Sequence, residues 1–494
     1  MPQKRSAIRL SSLLKKVFGI SELRPGQREV IEAVLAGTHT LAIMPTGAGK
    51  SLCYQVPALL KPGTTVVVSP LIALMRDQHD KLSTLGLPAV QINSAVNADE
   101  VQHARARIGR RTVEFIFTTP EQLASSDLRS LLSRAKVDLL VIDEAHCISQ
   151  WGHDFRPAYL EAMSVVRTLD TATVLALTAT APQEVVDDIT RQVGVGPLHV
   201  VNTGAARPNL SYSVRPVSND ADKQRQLLDA IRRLDGAAII YAATVRHVDD
   251  IAALLRQQRI PVVSYHGRMR TADRTTAQNA FMSGETSLIV ATNAFGMGID
   301  RADIRAVIHY DMPASLEVYS QESGRAGRDG RPAECVLFFQ RSDRRVHAFF
   351  MAGKYPKLDD FTTFVTALQP LADSGSLRLE QLKSASRITA GKVRVMLTEL
   401  KATRLIRERR GGHYELRPQL FTQSLEPLAR AYDERRERDR TKLEQMIVYA
   451  QTALCRTRLL LSALGEEPEW DECGTCDNCR GKTIRSVGVA HGAA

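Results

Sequence analysis

The sequence lacks a long apolar segment. No apolar run approaches the roughly 18 residues that a helix needs to cross a membrane. The first residues, Met1-Pro2-Gln3-Lys4-Arg5, are not followed by the apolar segment of a secretory signal. Both absences argue against a membrane or secreted protein. We therefore expect a cytoplasmic protein.

The chain also lacks internal repeats of fixed period and low-complexity segments, which argues against a solenoid or a linker-rich protein. Its 494 residues, 44% of them hydrophobic, suffice for about three domains of roughly 150 residues each. A net charge of +11 indicates a polyanionic partner, although a merely basic soluble protein remains an alternative. Three scattered cysteines are expected to be small core residues: Cys53, Cys147 and Cys335.

A phosphate-binding loop is indicated by residues 44–51, Met-Pro-Thr-Gly-Ala-Gly-Lys-Ser. The apolar residues 40–43 predict a buried strand before it, and a helix is predicted after it. Glycines let backbone N–H groups approach an anion, and a helix N-terminus adds partial positive charge. Lys50 can reach the β- and γ-phosphates, and the Ser51 hydroxyl can bind Mg²⁺. Met44 replaces the usual first glycine, so a chance glycine turn is the alternative.

More apolar runs predict parallel strands at residues 64–68, 115–118, 137–142 and 174–178. Their ends carry short hydroxyl side chains, among them Ser69, which could hold nucleic-acid phosphates if they are not ordinary connectors. The run 137–142 ends in Asp-Glu-Ala-His. There Asp143 can hold Mg²⁺, and Glu144 can orient and deprotonate the water that attacks the γ-phosphate.

Two other segments of the first half carry candidate contacts. Gln27 follows a Pro-Gly turn, and its amide can pair with the N6 donor and N7 acceptor of adenine, unless it is part of a plain surface turn. Residues 150–157, Gln-Trp-Gly-His-Asp-Phe-Arg-Pro, suit a loop that senses nucleic acid. Trp151 and Phe155 could stack on exposed bases, with a core position for Trp151 as the alternative.

Strand–helix alternation restarts after Arg207 and predicts a second parallel sheet that has no phosphate loop. Arg325 and Arg328 are predicted to share one face of a helix start. Facing a nucleotide bound by the first half, such an arginine would stabilise the transition-state charge of the γ-phosphate, as an arginine finger does. A solvated basic face is the alternative.

The C-terminal third predicts two smaller modules. Three helical segments and a Gly-Gly hairpin at 411–412 suggest a winged helix, or alternatively a small helical packing domain. Its predicted recognition side carries Lys392, Arg394, Lys401 and Arg404. Residues 430–445 are expected to form a solvated helix.

Four clustered cysteines fit a tetrahedral zinc site on a helical hairpin: Cys455, Cys473, Cys476 and Cys479. A reducing cytoplasm favours a metal over disulfides. An iron–sulfur cluster and free or disulfide-bonded thiols are the alternatives.

The combination of these motifs resembles the RecQ DNA helicases of superfamily 2. The motifs are residues 23–27, 44–55, 69–78, 143–146, 150–157, 207–210, 295–300 and 321–330, in the order of that family. RecQ proteins carry a similar four-cysteine hairpin, with an arginine after the first cysteine, here Arg456. Ala48 departs from the usual glycine, and the winged helix precedes the cysteines, whereas the common order is the reverse.

The resemblance implies an α/β fold with two tandem RecA-like domains that close on ATP, and Mg-ATP-driven 3′–5′ translocation along one DNA strand. It assigns nucleotide binding to Arg24, Gln27, Thr46, Gly47, Ala48, Gly49, Lys50 and Ser51. It assigns the handling of the phosphates and Mg²⁺ to Asp143 and Glu144. It assigns the role of the arginine finger to Arg328, with Arg325 beside it. It assigns DNA coupling to Ser69, Trp151, His153, Phe155 and Arg156.

We expect the following domains: a RecA-like domain at 1–206, a second at 207–342, a linker at 343–355, a winged helix at 356–420, a zinc subdomain at 421–482 and a disordered tail at 483–494. No further C-terminal domain is expected. We expect a monomeric DNA helicase that acts in repair and recombination. Its expected substrates are single-stranded and forked DNA, and its expected partners are single-strand-binding or repair proteins. In a bacterium we expect it to associate with the nucleoid. An RNA helicase and an ATP-switched DNA-remodelling protein are the alternatives.

Overall fold

The computed structural model describes residues 10–149, 156–168, 172–296, 299, 301–344, 355–372, 375–409 and 413–481. They fall into two compact units. The first comprises the described parts of Met1–Tyr310, Glu317–Phe338 and Thr452–Ala494, and the second those of Asp311–Leu316 and Phe339–Gln451. The predicted tail at 483–494 and most of the predicted linker at 343–355 lie outside the described residues.

A seven-stranded sheet organises the first part of the first unit, in the order β3-β4-β2-β5-β6-β1-β7. Its neighbouring strands pair in parallel. The strands are β1 Thr40–Ile43, β2 Thr64–Val68, β3 Ala89–Ile92, β4 Phe115–Thr118, β5 Val137–Ile142, β6 Thr173–Thr178 and β7 His199–Asn202. The continuous apolar runs that predicted β1, β2, β4, β5 and β6 reflect a sheet buried on both faces.

Helices cover both faces of this sheet and enclose two hydrophobic cores. They are Gln27–Leu35, Leu52–Leu60, Ile72–Thr84, Ala98–Gly109, Pro120–Leu123, Ser126–Leu132, Pro157–Val166 and Gln183–Val193. The three scattered cysteines are buried, which confirms their predicted core positions.

A six-stranded sheet follows in the same unit, in the order β10-β11-β9-β12-β13-β8. Its strands are β8 Leu210–Pro216, β9 Ala237–Tyr241, β10 Val263–Tyr265, β11 Leu288–Ala291, β12 Ile304–His309 and β13 Ala333–Phe339. Strands β9 to β13 pair in parallel. The accompanying helices are Asp220–Arg232, Val245–Gln257, Thr271–Ser283 and Leu316–Ser323. Two parallel sheets with covering helices confirm the predicted α/β class.

The cysteine segment belongs to the first unit and packs on the edge strand β8. It contains the helix Arg456–Ala463. The Ser211 hydroxyl donates to the carbonyl oxygen of Thr475 at 2.8 Å, and the backbone N–H of Val214 donates to Asp477 Oδ2 at 2.9 Å. The segment is therefore anchored to the second sheet through one side-chain hydroxyl and one main-chain N–H group of its edge strand.

The second unit has its own core, formed between helices and a three-stranded antiparallel sheet. Its helices are Leu358–Leu368, Leu379–Ser386, Ala390–Ala402 and Glu426–Gln451, and its strands are β14 Leu377–Arg378, β15 Ile406–Arg409 and β16 His413–Leu416. The predicted hairpin is present, with its tip at 410–412 outside the described residues. Leu377 pairs with Tyr414 in the sheet, and the following helix starts two residues later, at Leu379.

Two of the four predicted recognition-side cations are engaged within this unit. Lys392 pairs with Asp360 at 2.7 Å and Lys401 with Glu408 at 2.5 Å. Arg394 and Arg404 are exposed. None of the helices in the described ranges is long and apolar enough to span a membrane.

Candidate active site and zinc site

The phosphate loop leaves β1 and enters the helix Leu52–Leu60, as the sequence predicts. Gly47 and Gly49 have φ angles of +87° and +79°, a region that glycine adopts without a steric penalty. A Cβ atom at Gly49 would lie 2.5 Å from the Gln27 side-chain nitrogen. Glycine is therefore required at position 49 both for backbone conformation and for space.

Side-chain donors hold three consecutive carbonyl groups of this loop. Arg24 donates to the carbonyl oxygen of Gly47. Gln27 donates to those of Ala48 and Gly49, at 3.0 Å each. Its own side-chain oxygen accepts the backbone N–H of Arg24 at 2.7 Å. The C=O and N–H groups of a trans peptide point in opposite directions. Because Arg24 and Gln27 hold the carbonyl groups on their side of the loop, the N–H groups of the loop face away from these two side chains.

Lys50 lies folded against the start of the loop. Its Nζ donates to the carbonyl oxygen of Met44 at 3.0 Å. Burial lowers the pKa of Lys50, while the nearby Glu144 and Asp143 carboxylates oppose that shift. The Met44 side chain is buried, with its sulfur 3.9 Å from that of Cys53. A side chain is thus accommodated where the usual loop has glycine, because it points into the core.

Asp143 and Glu144 directly follow the buried strand β5. Burial, together with the Glu144 charge, raises the pKa of Asp143. Ser69 donates to Asp143 Oδ2 at 3.2 Å, and the Tyr159 hydroxyl donates to the Asp143 carbonyl oxygen at 2.7 Å. Glu144 has φ +50°, a left-handed conformation that turns the chain sharply after the strand.

A histidine contact joins this acidic strand end to the next strand. His146 Nδ1 lies 3.0 Å from the Thr178 hydroxyl at the end of β6, and 3.4 Å from Glu144 Oε2. A change at Glu144 can therefore be transmitted to β6 through one imidazole ring.

Arg325 and Arg328 lie in a turn, not at the helix start that the sequence predicted. The helix Leu316–Ser323 ends before both of them. Gly327 and Gly330, with φ angles of +56° and +82°, keep the following residues in turn conformation. The two arginines nevertheless reach the same cavity.

A cavity of about 1000 Å³ brings these residues together. One side comes from the first sheet domain and the other from the second. The site residues that line it are Arg24, Gln27, Thr46, Gly47, Gly49, Lys50, Ser51, Asp143, Glu144, Arg325 and Arg328. Ala48 contributes its carbonyl group to the loop contacts instead. The cavity also contains residues that the sequence did not single out as ligands, including Phe18, Ile20 and Gln321.

The donors in this cavity fit Mg²⁺. The Ser51 hydroxyl and the Asp143 carboxylate are hard oxygen ligands of the kind that Mg²⁺ prefers, and both line the same space. Two adjacent carboxyl groups, Asp143 and Glu144, also provide the negative charge that a divalent cation would offset.

Most of the predicted DNA-sensing loop, including Trp151, His153 and Phe155, lies outside the described residues. Arg156 is described, and its guanidinium donates to the carbonyl oxygen of Pro70 at 3.4 Å. Ser69, predicted to contact DNA, is buried against Asp143. Ser69 therefore connects the end of β2 to Asp143, and Arg156 connects the segment after β2 to the start of the helix Pro157–Val166.

The four clustered cysteines converge. Their sulfur atoms all lie within 4.8 Å of one another. A tetrahedral zinc with Zn–S bonds of about 2.3 Å requires sulfur separations of about 3.8 Å, so the cluster fits zinc with little movement. Burial raises the pKa of Cys473, but hydroxyl donors from Thr457 and Thr475 outweigh it and bring that pKa down to about 6.

Known domain families match the chain in the same order as these features. A DEAD/DEAH box helicase domain matches residues 24–189, a helicase conserved C-terminal domain residues 222–330, and a RecQ zinc-binding domain residues 414–480. The ATP-dependent DNA helicase RecQ of Bacillus subtilis is 36% identical over 474 residues, which are 95% of this chain and 67% of that protein. The chain belongs to the RecQ family of ATP-dependent DNA helicases.

Other relatives agree with this RecQ membership. RecQ of Haemophilus influenzae is 41% identical over 332 residues, covering 67% of this chain and 53% of that protein. The probable helicase RecS of B. subtilis is 35% identical over 380 residues, covering 76% of this chain and 75% of that protein. The chain thus spans between about half and three quarters of these relatives. ATP, Mg²⁺ and Zn²⁺ follow as the cofactors of a RecQ-family chain.

Solved structures agree on the fold. The Mycobacterium smegmatis helicase Lhr, bound to single-stranded DNA and AMP-PNP, has a TM-score of 0.57 at 23% identity over 84% of this chain and 61% of Lhr. The DEAD-box helicase Mss116, bound to single-stranded RNA, has a TM-score of 0.59 at 16% identity over 93% of this chain and 92% of Mss116. At these identities the similarity concerns the fold.

Proposed function

We propose that this RecQ-family chain hydrolyses Mg-ATP between its two RecA-like domains and uses the resulting opening and closing to move 3′ to 5′ along single-stranded DNA and unwind duplexes. The observation that carries the proposal is the shared cavity. The phosphate loop, Asp143 and Glu144 enter it from one domain, and Arg325 and Arg328 enter it from the other.

Each site residue has a separate role in the phosphate chemistry. The N–H groups of the loop and Lys50 bind the β- and γ-phosphates once ATP displaces the Lys50 contact to Met44. Ser51 and Asp143 would hold Mg²⁺, which would supply positive charge to the phosphate groups. Glu144 orients the attacking water and accepts its proton. Arg328, with Arg325 beside it, stabilises the charge that develops on the γ-phosphate.

Adenine recognition falls to the segment before the loop. Gln27 holds two loop carbonyls through its amide nitrogen, so pairing with adenine would require that amide to rotate or to share its donors. Arg24 holds a third carbonyl of the same loop. Base recognition and loop geometry would then depend on the same two side chains.

DNA coupling is assigned to Trp151, His153 and Phe155 by the family resemblance. Arg156 and Ser69 support the assignment, because both connect to the strand ends beside Asp143. DNA bound at the loop would therefore influence the geometry of the acidic residues through short contacts. The His146–Thr178 contact offers a further route through β6.

Several finer features belong to the same proposal. The chain acts as a monomer, in the cytoplasm and on nucleoid DNA if the source is bacterial. It takes single-stranded and forked DNA as substrates in repair or recombination, with single-strand-binding or repair proteins as partners. We propose the domain boundaries expected from the sequence, including a winged helix at 356–420. The zinc subdomain expected at 421–482 combines the helix Glu426–Gln451 of the second unit with the cysteine segment of the first.

The test compares ATP hydrolysis by the zinc-loaded chain without nucleic acid, with single-stranded DNA and with RNA of matched sequence. Strong stimulation by DNA alone is expected. Stimulation by RNA alone would contradict the proposal in favour of an RNA helicase. No stimulation by either, in a folded sample, would favour an ATP-switched binding protein.

A further inference from the structure

Arg207 lies in the segment between β7 and β8, where the chain passes from the first RecA-like domain to the second. Its half-buried guanidinium group donates hydrogen bonds to four backbone carbonyl oxygens. The acceptors are those of Thr46 at 2.6 Å, Gly324 at 3.1 Å, Ala326 at 3.0 Å and Gly327 at 2.8 Å.

These acceptors belong to two different parts of the cavity. Thr46 is in the phosphate loop, whereas residues 324–327 form the turn that contains Arg325 and leads to Arg328; we call residues 324–328 the finger turn. The two parts are in direct contact. A Cβ atom at Gly324 would lie 3.1 Å from Thr46 Cβ, and one at Gly47 would lie 3.2 Å from Arg328 Cγ.

Only a planar group with several fixed donors can make such a bridge. A guanidinium presents five N–H donors in a rigid fork, whereas a lysine ammonium is a single point on a flexible stem. In Arg207, Nη1 serves both the loop and the finger turn, and Nη2 serves the finger turn alone. One side chain therefore bonds to the loop and to the turn at the same time.

We infer that Arg207 is a positioning residue, which holds the finger turn in register with the phosphate loop so that Arg328 meets the γ-phosphate at the correct distance. The inference rests on the proposed ATP hydrolysis. Arg207 acts through Arg328 and has no role in binding the phosphate, because its Nη1 and Nη2 donate to main-chain oxygens. An error of about 1 Å in such an arrangement can cost on the order of 100-fold in rate.

The experiment measures DNA-stimulated ATP hydrolysis and equilibrium nucleotide binding for Arg207→Ala and Arg207→Lys. Asn209→Ala is the matched control. Asn209 donates to the carbonyl oxygens of Gly327 and Arg331 but, within the described residues, makes no hydrogen bond to the phosphate loop. Both Arg207 variants should lose roughly 10- to 100-fold in kcat, with nucleotide affinity changed by less than about threefold. The control should keep kcat within about threefold of wild type.

A double variant separates positioning from general structural damage. If Arg207 acts through Arg328, then Arg207→Ala should cost little further kcat in an Arg328→Ala background. The inference would be overturned if the kcat loss of the double variant equalled the product of the two single losses. It would also be overturned if Arg207→Lys kept the wild-type kcat or if Arg207→Ala left kcat unchanged. Because lysine keeps the charge, the Arg207→Lys variant keeps the test decisive if the alanine variant does not fold. A folded wild-type chain without ATP hydrolysis would instead refute the proposed function.

Discussion

At the residue scale, Gly49 has little freedom to change. Its φ of +79° disfavours any side chain, and a Cβ atom there would meet the Gln27 nitrogen at 2.5 Å. Gln27 in turn orients the loop through two carbonyl groups. Substitution at Gly49 therefore affects both the backbone and the side chain that organises the loop.

Replacing Gly49 with alanine should weaken ATP binding by about 30-fold, since displacing Gln27 removes two hydrogen bonds of about 1 kcal/mol each. Gly86→Ala is the control, because Gly86 also has a positive φ, +73°, but has open space around its Cβ position. Both variants should lose about 1 to 2 kcal/mol of unfolding free energy from backbone strain. Gly49→Ala should lose up to about 2 kcal/mol more, with the two Gln27 hydrogen bonds.

The measurements are fluorescent-nucleotide titration and denaturant unfolding of both variants. Equal nucleotide affinity in the two variants would show that the Gln27 contact does not organise the loop. Weakened nucleotide binding in Gly49→Ala alone would support the role of the Gln27 contact.

At the scale of structural elements, the cysteine segment is the clearest case of a part that depends on a metal. Replacing the buried Cys476 with serine should abolish the binding of about one zinc ion per chain, because a hydroxyl is a poor ligand for a thiolate site. Asp477, next to it, should then release the β8 backbone, so the thermal transition should fall. Metal analysis and a melting curve are the measurements.

Cys335→Ser is the control for this substitution. Cys335 is equally buried but lies in β13, where its sulfur is 3.8 Å from the carbonyl oxygen of Ser323, an acceptor that a serine hydroxyl can also use. Its zinc content should match wild type. Iron in place of zinc in the wild-type chain would establish the iron–sulfur alternative.

Sequence reasoning succeeded for elements whose residues repeat a local signal. Buried parallel strands are continuous apolar runs, so β1 and β5 could be located closely. The finger turn was misjudged because a spacing of three fits both a helix and a turn. The glycines at 327 and 330 were the available sign of a turn, since glycine tolerates positive φ.

Contacts between distant segments could not be predicted. Arg207 and Thr46 are 161 positions apart, and nothing in a single sequence pairs them. The same holds for Tyr159, whose hydroxyl holds the Asp143 carbonyl group, and for Asp477, which bonds to Val214. Sequence motifs identified which groups perform the chemistry, whereas the residues that fix their positions required the structure.

At the scale of the whole molecule, the net charge of +11 bears on DNA binding. Each phosphate contact releases a condensed counterion, so affinity falls as salt increases. For about five phosphate contacts, the dissociation constant for single-stranded DNA should rise on the order of 100-fold between about 50 and about 200 mM salt. An anisotropy titration at each salt concentration measures this dissociation constant.

An uncharged methylphosphonate strand of the same sequence is the matched control, because it has no counterions to release. Its binding should depend little on salt. A salt-independent affinity for the natural strand would mean that base stacking, not phosphate contact, dominates DNA binding.

The central claim is that ATP hydrolysis between the two RecA-like domains drives directional strand separation. Its most direct test is unwinding of partial duplexes that carry either a 3′ or a 5′ single-stranded tail. Glu144→Gln is the matched variant, because it preserves the size of the side chain but removes the base. It should bind ATP yet hydrolyse it on the order of 100- to 10,000-fold more slowly.

The wild-type chain should separate the 3′-tailed duplex with ATP and leave the 5′-tailed duplex intact, and Glu144→Gln should separate neither. Unwinding preserved in Glu144→Gln, or unwinding of the 5′-tailed duplex alone, would contradict the central claim.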